Sequence, residues 1–418
     1  MTLENDMAQL GTAAQSAGAQ LRLASEDTRN AALVAMAKHI RSAQDIILAA
    51  NAADMQAAET KGLSAPLLDR LKLDADRVAS IAEGLEAIAA LPDPIGAVEK
   101  EWVQPNGLQF SKVRVPLGVI GMIYESRPNV TADAGGLCVK SGNACVLRGG
   151  SESVKSNKAI HAALQSGLGE AGLPETAINL VQTTDRAAVG HMLDGLNGTI
   201  DLIIPRGGKG LVSRVQKEAR VPVLAHEDGL NHSYVHKDAQ INLAVKVVEN
   251  AKLRRTSVCG STETVLVDED IAEIFLPALE AAIGEKCEFR ADRRALNYLE
   301  NAIAATEADF DTEHLAPILN IAVVRDIDAA LSHIEKYGSG HTDAILTDNP
   351  EAAQKFLDRV DSAIVLQNAS TQYADGGEFG FGAEIGIATG RIHARGPVGA
   401  QHLTSYKYQV RGNGQTRP

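Results

Sequence analysis

The sequence lacks the features that mark several large classes of protein. Its 418 residues include 53 acidic and 40 basic ones without a block of Lys or Arg, so a nucleic-acid partner is not expected. No segment approaches the roughly 20 consecutive apolar residues that cross a bilayer, so no membrane association is expected. The N-terminal segment lacks the basic and apolar parts of a signal peptide, and we therefore predict a cytoplasmic protein.

Cysteine is also scarce. The four cysteines, Cys138, Cys145, Cys259 and Cys287, have no C-x-x-C spacing and no histidines at the spacing of a zinc site. This pattern indicates neither a disulfide framework nor a metal site. Reduced thiols are expected, and one of them can be reactive.

Apolar residues are plentiful, at 45% of the chain, which is enough for two or three domains. Residues 1–90 are rich in Ala with helical periodicity, and they predict two or three long helices. From Gly118 onward, short apolar runs alternate with amphipathic segments, and a second such set follows Cys259. This alternation predicts an α/β protein with two parallel sheets covered by helices.

Two segments depart from this alternation. Residues 99–115 form two strand-like runs around Pro105-Asn106-Gly107 and predict a β-hairpin, because Gly supplies a positive φ at the turn. The tail LTSYKYQVRGNGQ is strand-like without a local partner. We expect it to pair with the hairpin or with a neighbouring subunit.

Cys259 is the first candidate for chemistry. It lies in RRTSVCGSTETVLV, between a helical and a strand-like run, with small neighbours that permit a substrate to approach. Arg254 or Arg255 can lower the pKa of the thiol if either faces the sulfur, and backbone N–H groups near Gly260 can bind an oxyanion. The alternative is a buried structural thiol beside a solvated helix end.

Two predicted strand-to-helix turns are rich in glycine and carry basic residues. Glycines there let a phosphate approach the backbone, and the following helix N-terminus favours negative charge. Neither turn matches a dinucleotide or P-loop motif, so ordinary tight turns are the alternative. The candidate ligand-binding residues are Arg148, Gly149, Gly150 and Ser151 in the first turn and Gly207 and Gly208 in the second.

Polar side chains follow two other apolar runs. Asn129 precedes a predicted helix, where it either caps the helix or polarises a carbonyl group through its amide. The segment His226-Glu227-Asp228 follows VPVLA, and a carboxylate there is either a base or a solvated loop residue.

Taken together, YESRPNV, SGNACVLRGGSE, RRTSVCGSTETVLV, FGFGAEIGIATGRIHARGPVG and LTSYKY resemble the aldehyde dehydrogenase superfamily, and within it a branch that reduces acyl phosphates. The similarity covers nearly the whole chain. It implies two α/β domains and an oligomerisation element that makes a dimer or tetramer. The implied boundaries are 1–98 with 116–225 for the nucleotide-binding domain, 226–398 for the catalytic domain, whose last part can return to the first, and 99–115 with 399–418 for the oligomerisation element.

The resemblance also implies individual roles. Cys259 occupies the position of the nucleophile, and Asn129 that of the amide that binds the oxyanion. Arg148 stands in place of a lysine that contacts the cofactor ribose. NAD-preferring relatives often have a glutamate at the position of Ser151, and its absence here implies NADPH. Glu313 aligns with the glutamate that holds the nicotinamide ribose.

The implied reaction is the NADPH-dependent reduction of L-glutamyl 5-phosphate to L-glutamate 5-semialdehyde and phosphate through a Cys259 thioester. It follows a glutamate 5-kinase in the biosynthesis of proline. The substrate anions need cations, and Arg127, Arg255, His393 and Arg395 are candidates, each with a structural salt bridge as the alternative.

Other functions stay open at this stage. Hydrolysing dehydrogenases place a water-activating base near Glu227, and with such a base the chain would oxidise an aldehyde to a free acid. A cysteine hydrolase or acyltransferase could use His226, His232 or His393 as its base. A non-catalytic scaffold would leave the glycine turns and Cys259 without a purpose.

Overall fold

The computed structural model describes residues 2–417, which form two compact units. Within these residues, no helix combines the length and the apolar character needed to cross a bilayer. The first unit extends to Ala225 and also contains Gly380–Gly386 and the chain from Ile392 onward, and the second consists of His226–Phe379 and Ile387–Arg391.

Five helices open the first unit: α1 (Leu3–Leu21), α2 (Glu26–Ser42), α3 (Gln44–Thr60), α4 (Ala65–Leu71) and α5 (Ala75–Ala90). Ser25 and Asp74 cap α2 and α5, because each side chain accepts a hydrogen bond from the backbone N–H three residues later. The prediction of two or three long helices was too low. Only Ala43 separates α2 from α3, and so short a break does not show in the apolar periodicity.

The predicted hairpin is present as β1 (Val98–Val103) and β2 (Gln109–Pro116). Gly107 in its turn has a φ of 84°, which favours glycine. The first unit then alternates strands and helices in the order β3 (Val119–Tyr124), α6 (Val130–Lys140), β4 (Ala144–Gly149), α7 (Val154–Glu170), β5 (Ile178–Leu180), α8 (Ala187–Leu193), β6 (Leu202–Arg206) and α9 (Lys209–Glu218).

These four strands form a parallel sheet in the order β5-β4-β3-β6. Since β4 and β6 flank β3, the segments that leave the carboxyl ends of all three lie at one edge of the sheet. Helices α2 and α7 pack closely on each other, because a Cβ at Gly167 would overlap the backbone of Met36.

The second unit is built around a parallel sheet of seven strands in the order β10-β9-β11-β8-β7-β12-β13. Alternate residues of β8 and β11 enter two apolar clusters, one containing Phe275 and the other Phe356, so both faces of the sheet are covered. Its elements are β7 (Asn231–Val235), α10 (Ile241–Leu253), β8 (Thr262–Asp268), α11 (Glu269–Ile283), β9 (Glu288–Ala291), β10 (Ile303–Ala304), α12 (Glu307–Phe310), β11 (Ile318–Val324), α13 (Ile327–Tyr337), β12 (Thr342–Leu346), α14 (Pro350–Arg359), β13 (Ile364–Gln367) and the short β14 (Ile387–Ala388).

The chain ends in the first unit with the short β15 (Gly396–Pro397) and with β16 (Thr404–Arg411). Strand β16 runs antiparallel to β2 over its whole length, from Thr404 opposite Pro116 to Arg411 opposite Gln109. The tail therefore joins the hairpin of its own chain, which is the first of the two predicted pairings. The two parallel sheets confirm the predicted α/β class.

Candidate active site

Cys259 lies in the turn between α10 and β8, and it is partly exposed, whereas the other three cysteines are buried. The buried amide of Asn231 holds this turn, with Nδ2 2.6 Å from the carbonyl oxygen of Cys259 and 2.8 Å from that of Ser261. A Cβ at Gly229 would overlap the same Cys259 carbonyl, so the segment before β7 needs glycine there. The turn is thus held by backbone contacts that leave the thiol accessible.

Two histidines lie beside Cys259. The sulfur and one ring nitrogen each of His226 and His341 all lie within 4.8 Å of one another. The two imidazole rings meet edge to face, with centroids 5.0 Å apart. Burial, and then the charge of His226, lowers the pKa of His341 to about 3, so its imidazole is neutral near pH 7.

Topology explains this cluster. His226, Cys259 and His341 precede β7, β8 and β12, and these parallel strands are neighbours in the sheet, so their amino ends meet at one edge. Sequence reasoning considered His226 as a base for a hydrolase and missed His341, because the neighbours of a strand are not visible in local periodicity. The histidine spacing likewise did not indicate that two imidazoles approach Cys259.

The other two histidines considered as bases have structural partners. His232 is buried and its Nδ1 lies 2.9 Å from Oδ1 of Asp343, so the pair links β7 to β12. His393 is exposed in the first unit, with Nε2 2.9 Å from the carbonyl oxygen of His402. Of the three candidate bases, the structure places His226 beside Cys259.

Asn129 follows β3 and occupies the N-cap position of α6, as predicted, but its side chain makes no capping hydrogen bond. Its Nδ2 instead donates to Oδ2 of Asp133, 2.8 Å away. Burial raises the pKa of Asp133 to about 6, against the opposing effects of the Asn129 hydrogen bond and Arg206. Asp133 therefore orients the amide of Asn129, which is partly exposed, as is Arg127.

The first glycine turn, at the end of β4, is tightly constructed. A Cβ at Gly149 would overlap the amide of Asn157, and one at Gly150 would overlap the carboxylate of Glu152. Glu152 in turn accepts hydrogen bonds from the backbone N–H and hydroxyl of Ser126, at 2.6 and 3.0 Å. This turn is thereby tied to the segment after β3, while Ser151 is exposed.

Arg148 is 9% exposed at the end of β4. Its guanidinium donates to the carbonyl oxygens of Gly149 and Thr184, and its buried Nε has no hydrogen-bond partner within residues 2–417. Burial lowers the pKa of this guanidinium, with smaller opposing effects from Glu152 and Glu125.

The second glycine turn, at the end of β6, meets a carboxylate. The backbone N–H of Gly208, the N-cap of α9, donates to Oε2 of Glu125 at 3.2 Å, and a Cβ at Gly207 would crowd the same oxygen. Glu125 thus takes the position at this helix N-terminus where the sequence suggested an anionic ligand.

The remaining predicted residues lie in different places. Oε1 of Glu313 accepts from the backbone N–H of Gly229 at 3.0 Å, which places Glu313 against the segment that holds Cys259. Arg255 is exposed near the start of the same turn, and its carbonyl oxygen accepts from Gln372. Arg395 is partly buried in the first unit, and Glu227 is exposed.

The profile of the aldehyde dehydrogenase family matches residues 3–294, and the chain belongs to this family of oxidoreductases that act on aldehydes. Its fold is the one expected from the sequence motifs. Over 99% of its length it is 59% identical to gamma-glutamyl phosphate reductase of Caulobacter vibrioides, the whole of which is matched. The crystal structure of gamma-glutamyl phosphate reductase from Thermotoga maritima superimposes with a TM-score of 0.96 at 41% identity, covering 99% of this chain and 100% of that one.

A more distant structure shows how widely the fold is shared. An engineered glycolyl-CoA reductase with bound NADP⁺ superimposes with a TM-score of 0.68 at 17% identity, covering 97% of this chain and 96% of that one. At this identity the likeness concerns the fold alone.

Proposed function

We propose that the chain reduces L-glutamyl 5-phosphate to L-glutamate 5-semialdehyde and phosphate with NADPH, in the biosynthesis of proline. The names of relatives that match the chain over nearly its full length support this substrate. The observation that carries the proposal is the accessible Cys259 between His226 and His341, in a chain whose other cysteines are buried. A glutamate 5-kinase would supply the acyl phosphate.

In the first step, the Cys259 thiolate attacks the acyl carbon of the substrate. A carbon–sulfur bond forms, the carbon–oxygen bond to phosphate breaks, and phosphate leaves with the electron pair, giving a thioester. His226 is suited to accept the thiol proton, since one of its ring nitrogens is within 4.8 Å of the sulfur. The neutral imidazole of His341 adds no charge that would oppose this transfer.

The oxyanion that forms on the acyl oxygen needs donors. The backbone N–H of Cys259 and the amide of Asn129 are our candidates, the latter by resemblance to the family. The hydrogen bond to Asp133 supports this role, because it fixes the orientation of the Asn129 amide before substrate binds.

A nicotinamide cofactor fits the residues at the end of β4. Arg148 has an unsatisfied buried Nε, and its guanidinium experiences the charges of Glu152 and Glu125 more strongly than those of Arg186 and Arg214, so a 2′-phosphate there would be held chiefly by Arg148 itself. Arg148 and Ser151 would face that phosphate, Gly149 and Gly150 would line the approach, and Glu313 would hold the nicotinamide ribose. When bound, the cofactor supplies the hydride that reduces the thioester carbonyl carbon.

The substrate carboxylate and phosphate require cations, for which Arg127, Arg255, His393 and Arg395 remain our candidates. Arg255 is exposed at the start of the Cys259 turn, and of these four candidates it is the one that belongs to the second unit. A single cation on such an anion contributes more when it is partly buried, which favours Arg127 in the first unit.

We also infer that the β1-β2-β16 sheet joins copies of the chain into a homo-oligomer. Large apolar side chains are exposed on β1 and β16 of this sheet, which is unusual for a sheet facing only water. They are Val98, Val103, Tyr406, Tyr408 and Val410.

The test is the reduction of NADP⁺ by L-glutamate 5-semialdehyde, with and without inorganic phosphate. The reaction runs in this direction only if phosphate releases the acyl group from Cys259, so we expect NADPH to form only with phosphate. Reduction without phosphate would instead indicate hydrolysis with Glu227 as the base. Folded protein that reduces neither NADP⁺ nor NAD⁺ would overturn the proposal, and Cys259→Ala is the matched inactive control.

A further inference from the structure

The cluster of Cys259, His226 and His341 has a chemistry beyond that of a nucleophile and its base. Thiolate sulfur and imidazole nitrogen are the donors that zinc prefers, and zinc sites that retain an open position use three protein ligands. The three donor atoms here come from three segments at one sheet edge and lie within 4.8 Å of one another.

We propose that these three side chains bind Zn²⁺, and that the bound ion reversibly inhibits the enzyme by occupying the nucleophile. Coordination replaces the proton of the Cys259 thiol, which passes to the buffer, and no electron transfer is involved. The fourth position on the ion is left for water. The inhibitory part rests on the proposed role of Cys259, whereas the binding part does not.

The distances are compatible with this ligand set after a small adjustment. Bond lengths of about 2.3 Å to sulfur and about 2.0 Å to nitrogen place the donors of a tetrahedral site roughly 3.3–3.6 Å apart. Separations within 4.8 Å would therefore have to contract by at most about 1.5 Å. Cys259 and His226 are partly exposed, and rotation of their side chains can provide this contraction.

His341 supplies an independent indication of a ligand. Its Nε2 is buried and has no hydrogen-bond partner among residues 2–417, and such an orphan atom calls for an explanation. Its Nδ1 lies 2.8 Å from Oγ1 of Thr342. When Nδ1 donates to this hydroxyl, Nε2 carries the lone pair that a metal ion accepts, an arrangement typical of metal-bound imidazoles.

Hydrogen bonds already hold together the segments that carry Cys259 and His341. Asn231 donates to the carbonyl oxygen of Cys259 and accepts from the backbone N–H of Thr342 at 3.1 Å. One buried amide thus ties the Cys259 turn to the strand that follows His341. Since the ligand segments are fixed relative to each other, little order remains to be created when an ion binds.

The experiment titrates chelator-treated protein with Co²⁺ and follows absorption, then displaces the cobalt with Zn²⁺. We expect visible d–d bands of a tetrahedral ion together with a thiolate-to-cobalt charge-transfer band. Cys259→Ser should remove the charge-transfer band. His226→Gln and His341→Gln should each weaken zinc binding about 100-fold, since even the partners of metal ligands contribute 10- to 100-fold.

Matched controls separate this site from adventitious binding. Cys287→Ser removes a buried thiol of the same unit, and His191→Gln removes a partly exposed imidazole of the first unit. Both should bind cobalt as the unaltered protein does. Loss of folding in His341→Gln is detected by circular dichroism, and His226→Gln then carries the test.

The outcomes distinguish this proposal from the proposed function. Cobalt binding without a Cys259-dependent charge-transfer band, or displacement of cobalt by zinc with unaltered affinity in His226→Gln, would overturn the metal site while the activity of the unaltered protein stands. Conversely, a Cys259-dependent cobalt spectrum in protein that oxidises no semialdehyde would contradict the proposed reaction and still support the metal site. Inhibition by Zn²⁺ that a chelator reverses supports both the metal site and the proposed role of Cys259 in the reaction.

Discussion

The two parallel sheets place their candidate functional groups at opposite kinds of edge. In the first unit, the segments with Asn129, Arg148 and Gly208 leave the carboxyl ends of β3, β4 and β6. In the second unit, His226, Cys259 and His341 precede the amino ends of β7, β8 and β12. The candidate groups of the first unit lie where the general rule for parallel sheets expects ligands, at the carboxyl ends of strands, and those of the second unit do not.

The difference extends to what supports each edge. The first unit uses glycine turns, and its carboxylates Glu125 and Glu152 accept hydrogen bonds from backbone N–H and hydroxyl groups. The second has two buried side-chain pairs in the same sheet as the cysteine turn, the ionic pair of Lys252 with Glu263 and the hydrogen-bonded pair of His232 with Asp343. The turns at the first edge are thus fixed by carboxylates, whereas buried side-chain pairs join the elements around the second edge.

The largest effect should come from Cys259→Ala, which sharpens the comparison by separating reaction from binding. Loss of the nucleophile should lower kcat on the order of 10³-fold or more. NADPH binding, followed by cofactor fluorescence, should be nearly unchanged because most of the residues that we propose for the cofactor belong to the first unit. Cys287→Ala is the control, since burial raises the pKa of that thiol to about 12 and makes it inert. Substantial turnover in Cys259→Ala would contradict covalent catalysis.

The next largest effect is expected at the Lys252–Glu263 pair. Its Nζ and Oε2 atoms are 2.8 Å apart, and the two side chains are 0% and 1% exposed. Lys252→Met leaves a buried carboxylate without its partner and should destabilise the protein by about 3–5 kcal/mol. The double variant with Glu263→Met should recover most of this free energy of unfolding, measured by urea denaturation. A double variant as unstable as Lys252→Met would show that the pair itself is required.

Asn129→Ala tests whether the first unit contributes to the reaction as well as to binding. Loss of one oxyanion donor should lower kcat about 10²-fold with little change in the KM for NADPH. Asp133→Asn keeps the amide and alters only its acceptor, so its effect should be smaller. A near-normal kcat in Asn129→Ala would confine Asn129 to a structural role.

Ser151→Glu tests the preference for NADPH over NADH. A carboxylate at this exposed position would repel a 2′-phosphate, and we expect the KM for NADPH to rise about 10-fold, equivalent to about 1.4 kcal/mol, while the KM for NADH stays the same. Ser151→Gln has a similar shape without the charge and should behave like the unaltered protein. An equal rise for both cofactors would point to a steric effect instead.

The sequence predicts a feature well when the feature depends on residues that are neighbours along the chain. The alternation of apolar strands and helices from Gly118 onward, and the hairpin at Gly107, are local patterns, and the structure confirms the elements that they predicted. Strand order is not local, so the approach of His226 and His341 to Cys259 could not be read from spacing. Asn129 precedes a helix as a cap does, but its amide turns to Asp133, a choice made by side-chain contacts.

The smallest predicted effect at neutral pH concerns His333, which lies in the second unit and is not one of the three residues clustered at Cys259. Its ring packs on those of Phe310 and Tyr337, with centroids 5.2 and 4.5 Å away, and its buried Nε2 has no hydrogen-bond partner among the described residues. His333→Phe should preserve this packing and remove the unsatisfied nitrogen, which would stabilise the protein by about 1 kcal/mol near neutral pH.

The sign of its pH dependence follows from the pKa. Burial lowers the pKa of His333 to about 3, below the value of about 6.5 in the unfolded chain. Proton uptake therefore has no effect on stability above about pH 6.5, and stability is lost as the pH falls from there toward 3, because only the unfolded chain takes up the proton. The advantage of His333→Phe in free energy of unfolding should grow by about 1.4 kcal/mol between about pH 8 and about pH 5.5. An advantage equal at both pH values would show that His333 takes up its proton within the fold.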